Sequence, residues 1–366
     1  MTKMNVVKVI AICCISWFAH NLGFSQGMHP DVQIAKVKEQ LKCKNERITN
    51  AYNQLVLKAD NALKENNHAL EDFSIPGRYI NEELHVKNSQ SLQIDAFNAY
   101  VCALAYRLNG DKKYGQKACE LLNAWGSINR KFSDYDGVLV MAYSGAGLMN
   151  AALLMKKQKI WDDTNQKQFE LWVKGVYKVS GDSIRTRKNN WGDWGRYASL
   201  LAASYLIDKN EIKANCKLIK SDLAAKITEN GSMPEETKRK EKGIWYTYFS
   251  LAPITASAWI IYNETGEDLF HQNIKNASIK KALDYLLRYT NKPEEWPHFL
   301  NPEKPSLSNN LSGWPYNLFE AMGGIYGDKD FVEAADKYRP IIYSRHHFAW
   351  TFPTLMPCEW AGIKQK

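Results

Sequence analysis

The sequence lacks the closely spaced cysteine pairs on which many metal and redox sites depend. The 366-residue chain has seven cysteines and no C-x-x-C motif. Zinc ribbons and thiol–disulfide oxidoreductases need such pairs, so neither class is supported, and we predict no metal and no cofactor. Two of the cysteines fall in the first 25 residues. The others are widely separated and give no basis for assigning a disulfide: Cys43, Cys102, Cys119, Cys216 and Cys358.

The chain also lacks the alternation of polar and apolar residues that marks half-buried strands. Apolar residues instead recur at helical spacing in some dozen segments. Residues 91–108, for example, place Ala96, Tyr100, Leu104 and Leu108 on one stripe and end at Gly110, a favourable helix C-cap. No linker rich in proline, glycine, serine or charge interrupts the series. The sequence therefore predicts an all-α fold with one domain over residues 26–366, and loops at 74–90, 129–136, 180–195, 230–246 and 290–314.

Long apolar runs are missing after the first 25 residues. Within those residues, Lys3 and Lys8 precede an apolar stretch over 6–18, and Gly23-Phe24-Ser25 is a small-x-small cleavage site. The stretch is short for a membrane span of ~20 residues. We predict a signal peptide over residues 1–25 and an exported protein, periplasmic or extracellular, with no membrane association after its removal.

Acidic residues are in deficit. The formal net charge is +9, and removal of Lys3 and Lys8 with the signal leaves +7. A basic surface concentrates anionic partners. The sequence shows no nucleic-acid motif, so an acidic polysaccharide is the better match. A basic charge balance without functional meaning stays open as the alternative, and the oligomeric state is not predicted.

Residues 236–251 join a cationic segment to an aromatic one. Cations close to a phenol favour its ionised form and lower its pKa from about 10, which would suit a tyrosine to act as a base. The alternative is a basic loop before an ordinary core helix. The residues concerned are Lys238, Arg239, Lys240 and Lys242, followed by Trp245, Tyr246, Tyr248 and Phe249.

A second unusual stretch, Asn-Asn-Trp-Gly-Asp-Trp-Gly, covers residues 189–195. Asparagine is a good helix N-cap and a poor helix-interior residue. Asn189 or Asn190 is therefore expected to cap the apolar helix that follows. Capping accounts for one of the two asparagines and leaves the other for a different role.

Together the two stretches resemble the alginate lyase family of polysaccharide lyases, α-helical barrel enzymes that cut uronate polymers. Asn189-Asn190-Trp191 matches the Asn-Asn-His motif of the family with Trp in place of His. Arg239 and Tyr246 match its Arg and Tyr at the seven-residue spacing, and residues 247–254 follow as the family's helix does. The resemblance spans about residues 30–330. It implies an (α/α) toroid, an incomplete helical barrel built of helical hairpins.

The resemblance also implies a mechanism, syn β-elimination on a 4-linked uronate. Tyr246 would take the C5 proton and return it to the leaving oxygen. Asn190, with Arg239, would neutralise the carboxylate. One tyrosine serves both steps only on mannuronate or glucuronate, because proton and leaving group then share a face. Trp191 cannot be a base, which argues against guluronate cleavage in the family's usual way. A second base would have to come from elsewhere: His298, His346 or His347.

Substrate-binding candidates come from the same regions and from the abundance of aromatic residues, 12 Trp and 19 Tyr. Aromatic faces pack on pyranose rings. In the family, a loop near residues 74–90 lies over the cleft, which suggests Arg78 and Tyr79. Packing in the core or a plain connecting role stays open for most of the set. The candidates are Asn189, Trp191, Arg78, Tyr79, Trp194, Tyr248 and His298.

Two other functions remain open on the sequence. Asp134, Asp136 and Asp193 would supply paired carboxylates for a glycoside hydrolase of an acidic glycan. A non-catalytic glycan-binding protein would retain the fold and lose the chemistry. Tyr246 and Arg239 at the family's spacing favour the lyase, acting on mannuronate-rich alginate or glucuronan as its anionic polysaccharide partner.

Overall fold

The fold is helical throughout, apart from two three-residue strands. The computed structural model describes residues 27–305, 313–344 and 347–359. The predicted signal peptide and His346 lie outside these residues. The elements are α1 Asp31–Lys42, α2 Glu46–Ala62, β1 Asp72–Ser74, α3 Glu82–Asn109, α4 Lys112–Ile128, β2 Lys131–Ser133, α5 Gly137–Ser144, α6 Ala146–Met155, α7 Asp163–Trp172, α8 Lys178–Ile184, α9 Asn190–Leu206, α10 Lys209–Lys226, α11 Pro234–Thr237, α12 Gly243–Thr265, α13 Ile279–Asn291, α14 Tyr316–Tyr326 and α15 Lys329–Asp336.

The helices form an inner and an outer layer. The inner helices α3, α6, α9 and α12 pack against one another in that order, while α4, α10 and α13 each pair with the inner helix that precedes them. Sequence explains the division. In α12 the buried residues run almost without a break from Thr247 to Ile261, whereas α13 buries only one face. A helix that is apolar all round must be enclosed, and an amphipathic one covers it. The predicted all-α class is confirmed.

The predicted loop at 74–90 is half helix. Strand β1 pairs in parallel with β2, with Phe73 opposite Phe132. The predicted loop at 129–136 therefore contains a strand that the sequence analysis missed, and the predicted loop at 74–90 begins at the last residue of the other. Helix α3 then begins at Glu82, where the Asn81 side chain caps the Leu84 N–H. The first two turns of α3 are mostly exposed. They lack an apolar stripe, which is why periodicity did not reveal them. The true loop is residues 75–81.

The apolar segment Gly137–Met155 forms two helices. Helix α5 ends before Gly145 and α6 begins after it. The ring of Tyr177 occupies the space beside this glycine, with Cε2 only 2.7 Å from where a Cβ would stand. The combined segment Gly137–Met155 is long and apolar enough to cross a membrane, but 83% of it is buried inside the fold. It is therefore explained as part of the core.

Helices α8 and α9 approach closely through two glycines. A Cβ on Gly195 would stand 2.6 Å from the Arg185 backbone N and 2.8 Å from the Gly181 carbonyl O. Backbone atoms cannot yield as a flexible side chain does. This contact fixes the helix that carries Asn190 against its neighbour.

Replacing Gly195 with alanine is expected to lower the free energy of unfolding by about 1–3 kcal/mol, since the added methyl forces the two helices apart. Gly175→Ala is the control, because no atom lies within 4 Å of the added Cβ. Urea denaturation of both variants measures the difference. Equal midpoints would show that the α8–α9 approach does not constrain the fold.

Candidate active site

Tyr246 lies in the first turn of α12, where the cationic segment meets the aromatic one. Its side chain is half-buried, and the Arg239 guanidinium lies over its ring, 4.8 Å from the ring centroid. The helix begins at Gly243 because the Trp296 ring leaves no room for a Cβ there, at 2.7 Å. The Arg239 Nε is buried and makes no hydrogen bond. The seven-residue spacing thus brings a phenol and a guanidinium into contact, as predicted.

The pKa of Tyr246 is raised to about 12, not lowered. Burial of the phenol is the largest cause, and the neighbouring Tyr79 adds to it. Arg239 acts in the opposite direction but does not outweigh them. The expectation that the cationic segment lowers this pKa was wrong, because only Arg239 contributes among its cations while the aromatic residues exclude water. Tyr246 is a neutral phenol at pH 7.

The 75–81 loop reaches across to Tyr246. The Tyr79 side chain is 86% exposed, yet it lies close enough to Tyr246 to help raise the pKa of that phenol. Asp136 anchors the loop by accepting the Arg78 backbone N–H at 3.0 Å and lying 3.4 Å from His85 Nδ1. That nitrogen donates to the Pro76 carbonyl at 2.9 Å. The Arg78 guanidinium is exposed and paired with Glu82, one turn along the chain. Of the two predicted residues, Tyr79 therefore lies beside the tyrosine, and Arg78 is its neighbour in the loop, paired with Glu82.

Asn190 is held by a buried carboxylate, Glu236. The Asn190 backbone N–H donates to Glu236 Oε1 at 2.7 Å, and its side-chain Nδ2 donates to Oε2 at 2.8 Å. Both residues are buried, and the Asn190 Oδ1 has no hydrogen-bond partner. Asn189 is the helix cap and accepts the Trp191 N–H at 3.2 Å. One N–H of the Asn190 amide is thus already used in a hydrogen bond. Arg239 is therefore the donor that is more available to a substrate carboxylate.

A network of buried charges lies beneath Asn190. Asp193 accepts from Arg196 and from Lys226, each at 2.6 Å, and from the Ser250 hydroxyl. The pKa of Glu236 is raised to about 7. Burial is the largest cause and Asp193 adds to it, while Lys226 and the Asn190 hydrogen bonds oppose the shift. Buried charges persist only when paired. Asp193 is a structural ion-pair partner and is not free to act on a sugar.

Trp191 lies on the rim of the site and is half-buried. The Arg187 guanidinium lies over its ring, 4.2 Å from the ring centroid. The exposed Tyr135 approaches it edge-on at 5.8 Å between centroids. The position that holds His in the family motif therefore presents an indole and a guanidinium.

Comparison with known proteins identifies the family. The family model described as "Alginate lyase" matches residues 36–296. The chain belongs to the alginate lyase family. It is a polysaccharide lyase, and a curated relative from Stenotrophomonas maltophilia carries that name, with 24% identity over 68% of this chain and 77% of its own.

Solved structures share the fold of this lyase at low identity. An alginate lyase from Bacteroides ovatus matches with a TM-score of 0.69 and 20% identity, covering 88% of this chain and 98% of that one. Alginate lyase A1-III from Sphingomonas species A1 matches with a TM-score of 0.71 and 15% identity, covering 89% and 95%. A variant of A1-III was solved with a tetrasaccharide. The predicted (α/α) toroid is confirmed.

Two predicted sugar contacts of the lyase are wrong. Trp194 is completely buried and packs against Phe249 and His347. Tyr248 is also completely buried, and its hydroxyl donates to the Asn317 Oδ1 at 3.0 Å. Both belong to the inner layer and expose no area to a substrate. Sequence could not separate them from Trp191 and Tyr246, which stand two or three positions away.

Two of the three histidines offered as a second base, His298 and His347, lie in the described residues, and both are engaged by other side chains. His347 is completely buried, with Nε2 at 3.1 Å from the Tyr248 hydroxyl. His298 is exposed and bonded to the Tyr285 hydroxyl at 2.8 Å, on α13. Within the described residues no group of three or more His, Cys, Asp or Glu is placed to hold a metal ion. Asp134 binds Ser74 and Asp136 anchors the 75–81 loop, so these carboxylates are occupied as well.

Sequence reasoning missed three residues of the site. Glu236 opens the very segment that drew attention, but nothing marks it as buried. Tyr143, half-buried on α5, packs edge-on against Phe249 at 5.7 Å and looked like a helix core residue. Arg187 precedes the Asn-Asn-Trp motif by two positions, and only its stacking distinguishes it from its basic neighbours.

Glu236→Ala is expected to destabilise the lyase because it leaves two buried Asn190 donors without an acceptor, at about 1–3 kcal/mol each. Glu235→Ala is the matched control, since Glu235 pairs only with Lys238 at the surface, and its loss should change stability by less than ~0.5 kcal/mol. Thermal unfolding at pH 7 compares the two. Equal melting temperatures would contradict the structural role of Glu236.

Proposed function

We propose that this lyase cleaves a 4-linked polymer of mannuronate or glucuronate by syn β-elimination, with Tyr246 as both base and acid. The observation that carries the proposal is the contact between Tyr246 and Arg239 on a rim where Trp191 replaces the family histidine. The indole N–H donates only and accepts no proton. A substrate whose C5 proton and leaving group lie on one face needs only the tyrosine.

The reaction requires no redox partner. The Tyr246 oxygen takes the C5 proton, a C4–C5 double bond forms, and the bond from C4 to the bridging oxygen breaks. The phenol then returns its proton to that oxygen, so the enzyme is regenerated and one unsaturated end appears. Arg239 is the donor proposed to neutralise the carboxylate while negative charge spreads onto it, as donors do in an oxyanion hole. The proposed part of Asn190 is a second donor from the same side.

With a pKa of about 12, Tyr246 is rarely ionised, but its phenolate is a strong base. The C5 proton is itself weakly acidic, so a strong base is an advantage in the transition state. The same phenol, once formed, holds its proton firmly until the leaving oxygen becomes more basic. Arg239 is the neighbour that favours the phenolate.

Alginate is the first substrate candidate, because the family model and the solved relatives carry that name. Mannuronate and glucuronate differ only at C2, away from the atoms that react, so glucuronan is the second. Export through residues 1–25 belongs to the same proposal, since a polymer must be met outside the cytoplasm. A non-catalytic glycan-binding protein is not favoured, because Tyr246 and Arg239 are in contact.

The substrate panel is polymannuronate, polyguluronate and glucuronan, followed by ultraviolet absorbance of the unsaturated uronate. We expect product from polymannuronate or glucuronan, and a loss of about 10²–10⁴-fold in Tyr246→Phe. Tyr248→Phe, two residues along α12, should keep its KM and lose only stability. Product from polyguluronate alone would contradict the argument from Trp191. A glycan-dependent thermal shift without product would indicate a binding protein.

The pH dependence of kcat/KM reports on the base. Uronate carboxylates stay ionised above pH 6, so the profile reflects the free enzyme. Because the pKa of Tyr246 is raised, the phenolate fraction and kcat/KM should rise about tenfold per pH unit from pH 7 to 9 without a plateau. A plateau near pH 7 would instead implicate Glu236, the group whose pKa is about 7.

A further inference from the structure

We propose that Arg187, held on the ring of Trp191, binds the carboxylate of a second uronate residue beside the one that reacts. This subsite rests on the proposed function, since it requires a polymer with a carboxylate on each sugar. It lies on the rim of the site and involves no residue of the proton transfer. It would make Arg187 a determinant of affinity for polyuronates.

The pairing of arginines first distinguishes Arg187. The described part of the chain contains ten arginines, and seven of them form an ion pair with a carboxylate: Arg47, Arg78, Arg107, Arg185, Arg196, Arg288 and Arg339. Among these residues Arg130, Arg187 and Arg239 form none. Only Arg187 and Arg239 of the three lie over an aromatic ring, and Arg239 contacts the reacting tyrosine.

The Arg187 backbone is held by its neighbours, and its side chain rests on an aromatic ring. Its carbonyl O lies against the first turn of α9, 1.8 Å from where a Cβ on Gly192 would stand, and its N–H donates to the Ile184 carbonyl at 3.0 Å. The guanidinium then rests on the indole at 4.2 Å. A guanidinium stacked by its face keeps its N–H edges free for a carboxylate. Ordering costs less on binding when the group is already held.

A chain of contacts connects this pair to the reaction centre. Trp191 meets Tyr135 at 5.8 Å between ring centroids. Tyr135 lies against Gly77 in the 75–81 loop, 3.7 Å from where a Cβ would stand. Tyr79 of that loop is a near neighbour of Tyr246 and helps to raise its pKa. The rim is thus an aromatic wall with an unpaired guanidinium at each end.

A polymer that carries charge along its whole length suits a wall with a guanidinium at each end. Every residue of a polyuronate carries one carboxylate, so a strand along the rim offers one to Arg239 and another to Arg187. Exposed Tyr135 and Tyr79 provide apolar faces for the sugar rings between them. A neutral glycan would gain nothing from Arg187. The subsite therefore selects for anionic polymers independently of the elimination step.

Arg187→Gln tests the subsite, with Lys188→Gln as matched control. Lys188 is exposed, adjacent and of equal charge, but it stacks on no ring. Kinetics on the cleaved polymer should show KM raised about tenfold in Arg187→Gln, the effect of losing one charge-assisted hydrogen bond, with kcat changed far less. Lys188→Gln should stay within twofold of the wild type. Arg187→Lys should recover only part of the affinity, because an ammonium lacks the planar fork.

Calorimetric binding of the same polymer to Tyr246→Phe, alone and combined with Arg187→Gln, measures the subsite without turnover. If the wild type forms no unsaturated product, the proposed function fails, yet a weaker affinity in the double variant would still support the subsite. Equal effects of Arg187→Gln and Lys188→Gln on affinity would show that both residues act only through general electrostatic attraction. A lower melting temperature with unchanged KM in Arg187→Gln would show that the contact between Arg187 and Trp191 serves only packing. Either result overturns the proposal.

Discussion

The site depends on one pair of buried hydrogen bonds, those from Asn190 to Glu236. They connect the first residue of α9 to the segment that carries Arg239. Two parts of the chain that are distant in sequence are therefore held together. A buried carboxylate needs donors on both oxygens, and Asn190 supplies one to each. The ion pairs of Asp193 with Arg196 and Lys226 lie directly beneath. Removing the Glu236 carboxylate would therefore destabilise the buried base of the site as well as the Asn190 side chain.

A second constraint is the competition between burial and charge at Tyr246. Arg239 favours the phenolate, but the aromatic residues around the ring exclude water and favour the phenol more. The balance is consistent with a tyrosine that must hold its proton after taking it. It also explains why the number of lysines close to Tyr246 in the sequence indicated the wrong direction for its pKa. Lys238 forms an ion pair with Glu235 at the surface, so its positive charge is directed away from the Tyr246 ring.

Much of the fold and part of the site could be predicted from sequence. Inner and outer helices differ in apolar periodicity, and a seven-residue spacing in a helical context brings Arg239 to Tyr246. Burial of individual aromatic residues could not be predicted. Trp191 and Trp194 are three positions apart in one helix, yet one lies on the rim and the other in the core, because the hairpin packing decides which face points inward. The exposed start of α3 was missed for the related reason that its stability comes from the Asn81 cap and not from an apolar stripe.

The Trp191 position shows how the rim has changed its chemistry. A histidine there would accept and donate protons near neutral pH, whereas an indole does neither. The ring instead supports Arg187, which brings a permanent positive charge without any proton to exchange. The position thus holds no base, and Trp191 supports the arginine that we propose binds the polymer. That arrangement suits a substrate on which one tyrosine does all the proton transfer, and it places the remaining discrimination in how the polymer is held.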